Sequence, residues 1–220
     1  MDSCVCAALA ARDYDAAALH LQYGQRTEAR EGRAFEGICD RLGIDRRLVV
    51  RNPLFRAIGG SALTDSAIAV PAARAEPGPG FGQDVPVTYV PFRNAHFLAA
   101  AVSWAEVLGA AKVLIGAVEQ DSSGYPDCRP AFYQAYNEAI RRGTRAGAIE
   151  VVAPLIAMRK AEIVTLGLEL GAPFELTWSC YSREDRACGV CESCVLRRRA
   201  FAAAGAEDPV PYAGAPAVRA

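Results

Sequence analysis

The sequence lacks the features that mark membrane, secreted and nucleic-acid-binding proteins. No apolar run reaches the roughly 18–20 residues that a membrane-spanning helix needs, and residues 1–11 lack the basic start of a secretory signal. The formal net charge is -1, so gross charge gives no attraction for nucleic acid. We therefore predict a cytoplasmic protein with no membrane and no direct nucleic-acid partner.

Internal repeats and low-complexity segments are also missing. Apolar residues make up 52% of the 220 residues, so a substantial core can form. The sequence holds eight cysteines, and because the cytoplasm is reducing, we expect no disulfide framework. Four of them instead lie close together, at Cys180, Cys188, Cys191 and Cys194. This cluster needs a separate explanation.

Patterns typical of strands alternate with patterns typical of helices. Ala34, Phe35, Ile38 and Leu42 recur at helical spacing before Gly43. Helices are predicted over 2–12, 27–42, 95–108, 130–142, 159–170 and from the cysteine cluster to about 204, and strands over 17–22, 47–51, 112–117 and 149–153. The alternation predicts an α/β fold with a doubly wound parallel sheet, which binds ligands at the carboxyl ends of its strands.

A long loop, a strongly apolar strand and an opening helix stand out in this pattern. Residues 59–93 are rich in glycine and proline and are predicted to form a long functional loop. The strand at 112–117 is apolar enough to be buried on both faces. The chain opens on a helix, whereas the first helix of a doubly wound fold normally follows a central strand.

The clustered cysteines have the spacing Cys180-x7-Cys188-x2-Cys191-x2-Cys194. Two residues between cysteines let both sulfurs reach one ion, and four thiolates suit tetrahedral zinc. An iron–sulfur cluster uses similar runs, but here the fourth cysteine lies upstream and no Cys-Pro follows. Four unrelated buried thiols are the remaining alternative. We favour one structural zinc ion per chain, because four protein ligands leave no open position.

Short segments along the whole chain match one family in order. They are LQYGQR at 21–26, GGSALTD at 59–65, VPFRN at 90–94, DSSGYPDCR at 121–129, KAEI at 160–163, TWSCY at 177–181, and Asp208-Pro209 with Tyr212. The glycine–tyrosine–proline run at 121–129 together with the cysteine spacing is the most specific part. On these segments the chain resembles the QueC family of 7-cyano-7-deazaguanine synthases, in the PP-loop ATP pyrophosphatase superfamily.

The sequence departs from this family at its start. The family's ATP loop reads Ser-Gly-Gly-x-Asp-Ser after a short apolar strand, whereas Met1-Asp2-Ser3 matches only its last three positions. Glycines in such a loop let backbone amides approach a phosphate closely. Our hypothesis is that Met1 is an internal methionine and that the upstream DNA encodes the strand and Ser-Gly-Gly in frame. A stop codon directly before Met1 would contradict it.

The resemblance implies an architecture and a reaction. A PP-loop ATP-binding α/β domain would span 1–172, without its first strand and Ser-Gly-Gly, and a zinc-binding segment with a tail would span 173–220. The implied enzyme is a ligase of queuosine biosynthesis that converts 7-carboxy-7-deazaguanine and ammonia to 7-cyano-7-deazaguanine while ATP yields AMP and diphosphate. ATP would act with Mg²⁺, and the protein would be a homodimer.

The resemblance also implies the residues of the site. Ser3 would bind phosphate, and Asp2 would hold Mg²⁺ or the ATP loop. Lys160, at a predicted helix start, and Arg93 complete the predicted catalytic set. The predicted ATP- and substrate-binding residues are Tyr23, Gln25, Arg26, Asn94, Asp121, Ser123, Gly124, Tyr125, Asp127, Arg129 and Phe132.

The loop over 121–129 is predicted to hold the deazaguanine ring. A purine-like base needs an acidic partner for its amidine edge, from Asp121 or Asp127, and an aromatic wall, from Tyr125 or Phe132. A plain strand-to-helix loop with a capping aspartate is the simpler alternative.

Several polar residues have ordinary structural explanations. Arg26 and Arg93 suit phosphate or carboxylate through paired N–H donors, but each can also form a simple salt bridge. Cys128 is interpreted as a packing residue, because adenylation needs no thiol. Arg197, with the arginines at 198 and 199, is predicted to lie on a solvated helix face.

Two other functions remain open from the sequence. A related enzyme could join the activated carboxylate to a different amine or modify tRNA, although a tRNA enzyme should show a basic face or an added RNA-binding domain. A zinc-stabilised binding protein that has lost catalysis is the other possibility. The products formed from ATP, ammonia and the carboxylate distinguish all three.

Overall fold

The computed structural model describes residues 1–73, 85–119, 124–145 and 147–214. The helices are α1 (Asp2–Asp13), α2 (Glu28–Leu42), α3 (Leu54–Ile58), α4 (Arg93–Leu108), α5 (Pro130–Gly143), α6 (Lys160–Glu169) and α7 (Glu192–Ala203). The strands are β1 (Ala17–Gln22), β2 (Arg46–Arg51), β3 (Lys112–Leu114) and β4 (Glu150–Val152), and short 3₁₀ turns lie at Pro126–Cys128 and Phe174–Leu176.

All strand pairs in the described part of the chain are parallel, which confirms the predicted α/β class. β1 pairs with β2 from Ala17 opposite Arg46 onward, and β3 pairs with β4 from Lys112 opposite Glu150 onward. Within the described residues these pairs form two separate two-stranded sheets. Helix α1 contacts β3, α2 and α6, so it links the two pairs.

Two elements differ from the sequence-based expectation. The strand predicted at 112–117 ends at Leu114, and its side chains are half-buried or exposed, not buried on both faces. Its partner β4 is only three residues long. Beyond the ladder, the Ile115 amide donates to the Val152 carbonyl and the Glu119 amide to the Ile156 carbonyl. Helix α3 was not predicted, because five residues are too few to show a helical period.

Gly116 brings the end of β3 against the start of α1. A Cβ at this position would lie 2.7 Å from the backbone nitrogen of Ser3 and 2.8 Å from the carbonyl carbon of Asp2. Only glycine therefore permits this approach of the two backbones. The contact places the first turn of α1 at the carboxyl end of β3.

The apolar core divides into clusters that follow the helices. Val5, Ile163 and Phe201 join α1, α6 and α7 in one cluster. Leu98 and Ile140 belong to a second cluster, formed by α4, α5, β4 and neighbouring residues. Because α1 and α6 share a cluster, their first turns are held close to each other.

Arg197 is buried, which corrects the prediction of a solvated arginine face at this residue. Its guanidinium is 3% exposed and pairs with Asp208, with the closest contacts at 2.9 Å. It also donates to Thr177 Oγ1 at 2.6 Å, and Tyr212 donates to Asp208 at 2.6 Å. The network connects α7 to Thr177 before the helix and to Asp208 after it. Removing one partner of a buried ion pair of this kind strongly destabilises the folded protein.

No helix among the described residues is long and apolar enough to cross a membrane. The division of the chain at 172/173 stays a prediction, as does cytoplasmic localisation.

Candidate functional site

The four clustered cysteines converge on one point, as their spacing predicts. All four sulfurs lie within 4.8 Å of one another, and Sγ of Cys188 and Cys194 are 3.9 Å apart. A tetrahedral zinc site, with Zn–S bonds of about 2.3 Å, needs sulfurs about 3.8 Å apart. The residues present therefore fit a metal ion bound by four thiolates.

Hydrogen bonds prepare one of these sulfurs for the anionic state. Cys191 and Cys194 donate to Cys180, and the backbone amides of Ser182 and Cys188 do so at 3.4 and 3.3 Å. These donors lower the pKa of Cys180, and the same contacts raise the pKa of the donors Cys191 and Cys194. A thiolate is the form that binds a metal.

Trp178 covers the cysteine site. It is 8% exposed and belongs to the same apolar cluster as the four cysteines. The guanidinium of Arg30 lies 4.6 Å from the centre of the indole ring, a cation–π contact. This contact joins helix α2, which carries Arg30, to residues 178–194, which we call the metal segment.

Two adjoining cavities lie where β1, β3, α1, α4 and α6 meet. The first cavity measures about 210 Å³ and the second about 250 Å³, so together they reach the range of roughly 300–1,000 Å³ typical of small-molecule sites. Seven residues line both, and we call them the shared wall: Met1, Asp2, Ser3, Arg93, Ser179, Tyr181 and Ser193. The first turn of α1 thus belongs to both cavities.

The first cavity extends from the end of β1 toward α2. Its own lining includes Tyr23, Gln25, Arg26 and Trp178. The amide of Gln25 is already used, since its oxygen accepts from the Tyr23 N–H at 2.9 Å and its nitrogen donates to Glu31 at 3.0 Å. Gln25 therefore shapes this cavity through the Tyr23 backbone.

Asp2 and Lys160 form an ion pair between the first turns of α1 and α6. Lys160 Nζ lies 2.6 Å from Asp2 Oδ2, and the side chains are 15% and 23% exposed. Among the described residues, Asp2 Oδ1 is buried without a hydrogen-bond partner. Lys160 lines the second cavity, and Ser3 is exposed on the shared wall. These three predicted catalytic residues come together.

Arg93 completes that group from the start of α4. Its Nη1 donates to the Tyr23 hydroxyl at 3.2 Å, and its guanidinium lies 5.6 Å from the centre of the Phe97 ring. Its Nε is buried and has no partner in the described part of the chain. Phe92, the residue before it, adopts φ 57, a conformation that non-glycine residues rarely take. The strained turn aims Arg93 into both cavities.

The loop at 124–129 contributes Tyr125 and Cys128 to the second cavity. Cys128 accepts from Asn94 Nδ2 at 3.4 Å, and burial raises its thiol pKa to about 11. The thiol is thus neutral near pH 7, as expected for a packing residue. Tyr125 pairs its hydroxyl with Thr88 Oγ1 at 3.0 Å.

Asp127 of the same loop turns away from the cavities. It is 3% exposed, and its Oδ2 accepts from the backbone N–H of Asn94 at 2.9 Å. Its carbonyl oxygen accepts from Asn94 Nδ2 and from the Tyr133 hydroxyl, each at 3.0 Å. The carboxylate satisfies an amide in the first turn of α4, and it holds Asn94, which does line the second cavity.

Other predicted residues lie apart from this centre. Arg26 lines the first cavity, but it donates to the backbone carbonyls of Ala62, Asp65 and Ile68. Among the described residues, four predicted ones lie outside the lining of both cavities: Gly124, Asp127, Arg129 and Phe132. Asp121 and Ser123 lie outside the described residues.

Sequence reasoning missed part of the shared wall. Ser179, Tyr181 and Ser193 line both cavities, and each directly neighbours a predicted metal ligand, Cys180 or Cys194. The available signal was this adjacency, because a residue beside a fixed ligand is itself fixed.

The chain is similar to known proteins over most of its length. A family model described as "Queuosine biosynthesis protein QueC" matches residues 1–205. The chain belongs to the QueC family. The predicted resemblance is thereby confirmed over nearly the whole chain.

Curated relatives are similar over almost their full lengths. A protein of Koribacter versatilis is 72% identical over 216 residues, which cover 97% of this chain and 90% of the relative. One of Acidobacterium capsulatum is 66% identical over 213 residues (97% and 93%), and one of Chlorobaculum parvum is 56% identical over 215 residues (96% and 92%). All three are named 7-cyano-7-deazaguanine synthase.

Proposed function

We propose that this protein converts 7-carboxy-7-deazaguanine and ammonia into 7-cyano-7-deazaguanine, with two molecules of ATP cleaved to AMP and diphosphate. One observation carries the proposal beyond the family likeness. The first turn of α1, which carries Asp2 and Ser3, lies between two adjoining cavities and is a wall of both. An adenylating enzyme needs this arrangement, because a carboxylate and the α-phosphate of ATP must meet.

The two cavities suit the two substrates. The first, beside the end of β1, takes ATP, and the second, bordered by Tyr125 and Asn94, takes the deazaguanine ring. Tyr125 supplies an aromatic wall and Asn94 an amide that Asp127 orients. Asp121 remains the predicted acidic partner of the amidine edge. The substrate carboxylate then points toward the shared wall.

In the first activation, a carboxylate oxygen attacks the α-phosphorus and diphosphate leaves. The carboxylate, itself anionic, is brought to a phosphate, so positive charge at the shared wall lowers the barrier. Arg93 of the shared wall and Lys160, which pairs with Asp2 of that wall, supply the charge, and Ser3 donates to a phosphate oxygen. Ammonia then attacks the acyl carbon, loses a proton to solvent, and displaces AMP to leave the amide.

In the second activation, the amide oxygen attacks the α-phosphorus of another ATP and diphosphate leaves again. The amide nitrogen loses its protons as the carbon–oxygen bond breaks, and AMP departs with that oxygen to leave the nitrile. The same residues serve both rounds, because the attacking oxygen occupies the same place. The protein contributes mainly position and charge, as in other phosphate chemistry.

The site also fits the two metal ions of the proposal. Asp2 Oδ1, buried and without a partner among the described residues, is a suitable ligand atom for Mg²⁺, which neutralises ATP phosphates when bound. Cys180, Cys188, Cys191 and Cys194 would hold zinc, with every position filled by protein. The zinc is therefore structural. A homodimer in the cytoplasm completes the proposal.

The test is a product analysis with the purified protein, ATP, Mg²⁺, ammonium and 7-carboxy-7-deazaguanine. We expect 7-cyano-7-deazaguanine by mass spectrometry, with two AMP formed per nitrile. AMP that appears only with another amine would indicate a related ligase instead. The absence of AMP with every acceptor, from protein that holds zinc and melts cooperatively, would contradict an adenylating function altogether.

A further inference from the structure

Tyr181 occupies a position between the metal segment and the two cavities. It follows Cys180 directly, and its ring packs against two clusters: that of the cysteines and that formed by Tyr23, Phe55, Leu63 and Val90. It also lines both cavities. No reaction step described above uses it.

The backbone of Tyr181 is held by the sulfurs on both of its sides. Its own amide donates toward Cys191, and the next amide, of Ser182, donates to Cys180 Sγ at 3.4 Å. The position of the ring therefore follows the position of the bound thiolates. A metal ion that fixes the sulfurs also fixes this part of the shared wall.

The hydroxyl of Tyr181 interacts with that of Tyr125, which also lines the second cavity. The Tyr125 hydroxyl in turn pairs with Thr88 Oγ1 at 3.0 Å. Thr88 is 2% exposed, so the far end of this chain of hydroxyls is fixed in the interior. Buried hydroxyl chains of this kind orient their members.

We propose that Tyr181 is a positioning residue that transmits the geometry of the thiolate site to Tyr125 and so fixes the wall that the deazaguanine ring stacks on. The inference rests on the proposed assignment of the second cavity to the deazaguanine. It explains why a structural metal site lies beside a reaction centre that needs no thiol chemistry. If packing alone mattered, the ring would suffice and the hydroxyl would be dispensable.

The test removes the hydroxyl and keeps the ring. In Tyr181→Phe we expect the Kd for 7-carboxy-7-deazaguanine, measured by calorimetry without ATP, to rise roughly tenfold, in line with the loss of one hydrogen bond. The KM for the carboxylate should rise likewise, with kcat and the KM for ATP within about twofold of wild type. Zinc content, measured by mass spectrometry, should stay at one per chain. Tyr136→Phe is the matched control, because its hydroxyl donates to the Ala95 carbonyl, away from both cavities.

A double variant tests the pairing itself. If the two hydroxyls act as one unit, Tyr125→Phe combined with Tyr181→Phe should weaken binding no more than either single change. Wild-type binding by Tyr181→Phe, or loss of its zinc, would overturn the inference while the proposed function stands. Failure of the zinc-loaded wild-type protein to bind the carboxylate would overturn both.

Discussion

The cysteine site and the loop at 124–129 carry the two most specific sequence patterns, yet they differ in how far pattern predicts geometry. All four cysteines converge as predicted. In the loop, Tyr125 and Cys128 face the second cavity, whereas Asp127 turns inward to the start of α4. Short spacers force sulfurs together, but a loop mixes residues that face a ligand with residues that hold the scaffold. A motif thus identifies a site more reliably than it assigns roles within it.

The largest effect is expected at the cysteine site. Cys180→Ser should remove the metal and unfold the segment around it, because metal binding supplies about 10 kcal/mol or more of the order of such segments. Zinc stoichiometry and hydrogen exchange over 177–194 measure this. Cys39→Ala, a buried cysteine in α2, is the control and should keep its zinc. Retention of zinc by Cys180→Ser would show that the sulfurs do not act as a set.

The next largest effect is expected at Lys160, which lines the second cavity and pairs with Asp2 of the shared wall. Lys160→Ala removes a cation and leaves Asp2 without its ion-pair partner, so turnover should fall by roughly 10²–10³, as for other lost charge-stabilising groups. Lys112, the other lysine of the chain, lies in β3 against Tyr14, so Lys112→Ala is the matched control. AMP release under saturating ATP is the measurement. Equal rates in the two variants would remove Lys160 from the reaction.

The loop gives a smaller and more discriminating test. Asp127→Ala removes the carboxylate that accepts from the backbone N–H of Asn94, and it should lower the free energy of unfolding by about 1–3 kcal/mol. Asp127→Asn keeps an acceptor oxygen, so it should be nearer wild type in both stability and substrate Kd. If instead the Asp127 carboxylate binds the deazaguanine ring directly, both variants should lose substrate binding to the same degree. Urea unfolding and calorimetry separate these outcomes.

The smallest effect is expected in β1, away from both motifs. His20 stacks on Phe35, and burial lowers its pKa below the ordinary 6.5. The unfolded chain then binds a proton at a higher pH than the native chain, so the stability from neutral His20 is present above pH 6.5 and lost as pH falls below it. His20→Gln should reduce this acid dependence in zinc-loaded protein, whereas His96→Gln should keep it. Urea unfolding at a series of pH values gives the slopes, and identical slopes in the two variants would contradict the assignment.

Local patterns account for most of what the sequence predicted correctly. The helix at α2 and the parallel strand pairs follow from apolar spacing that lies within each element. The family likeness identified Asp2 and Lys160, but their contact joins positions far apart in the chain and is a product of the packing of α1 against α6. The sequence can thus identify the two residues as site residues, but it does not predict that they form an ion pair with each other.

Burial of polar groups was the harder part. Arg197 and its neighbours at 198 and 199 have the same chemistry in the sequence, and only the position of Asp208 decides that the first of them is interior. Arg26 lies in a segment predicted to belong to the site, but its guanidinium donates to the backbone carbonyls of Ala62 and Asp65. In both cases the deciding partner is distant in sequence, so no local pattern could predict it.

A wall common to two cavities also bears on how a two-round reaction can be completed. On the proposed assignment, the amide formed in the first round stays beside Tyr125 while spent nucleotide leaves by way of Tyr23 and Gln25 and fresh ATP enters there. Nucleotide exchange then needs no release of the half-finished product. The turn that carries Asp2 and Ser3 would keep its position throughout, so the bound amide and each new ATP would meet the same groups.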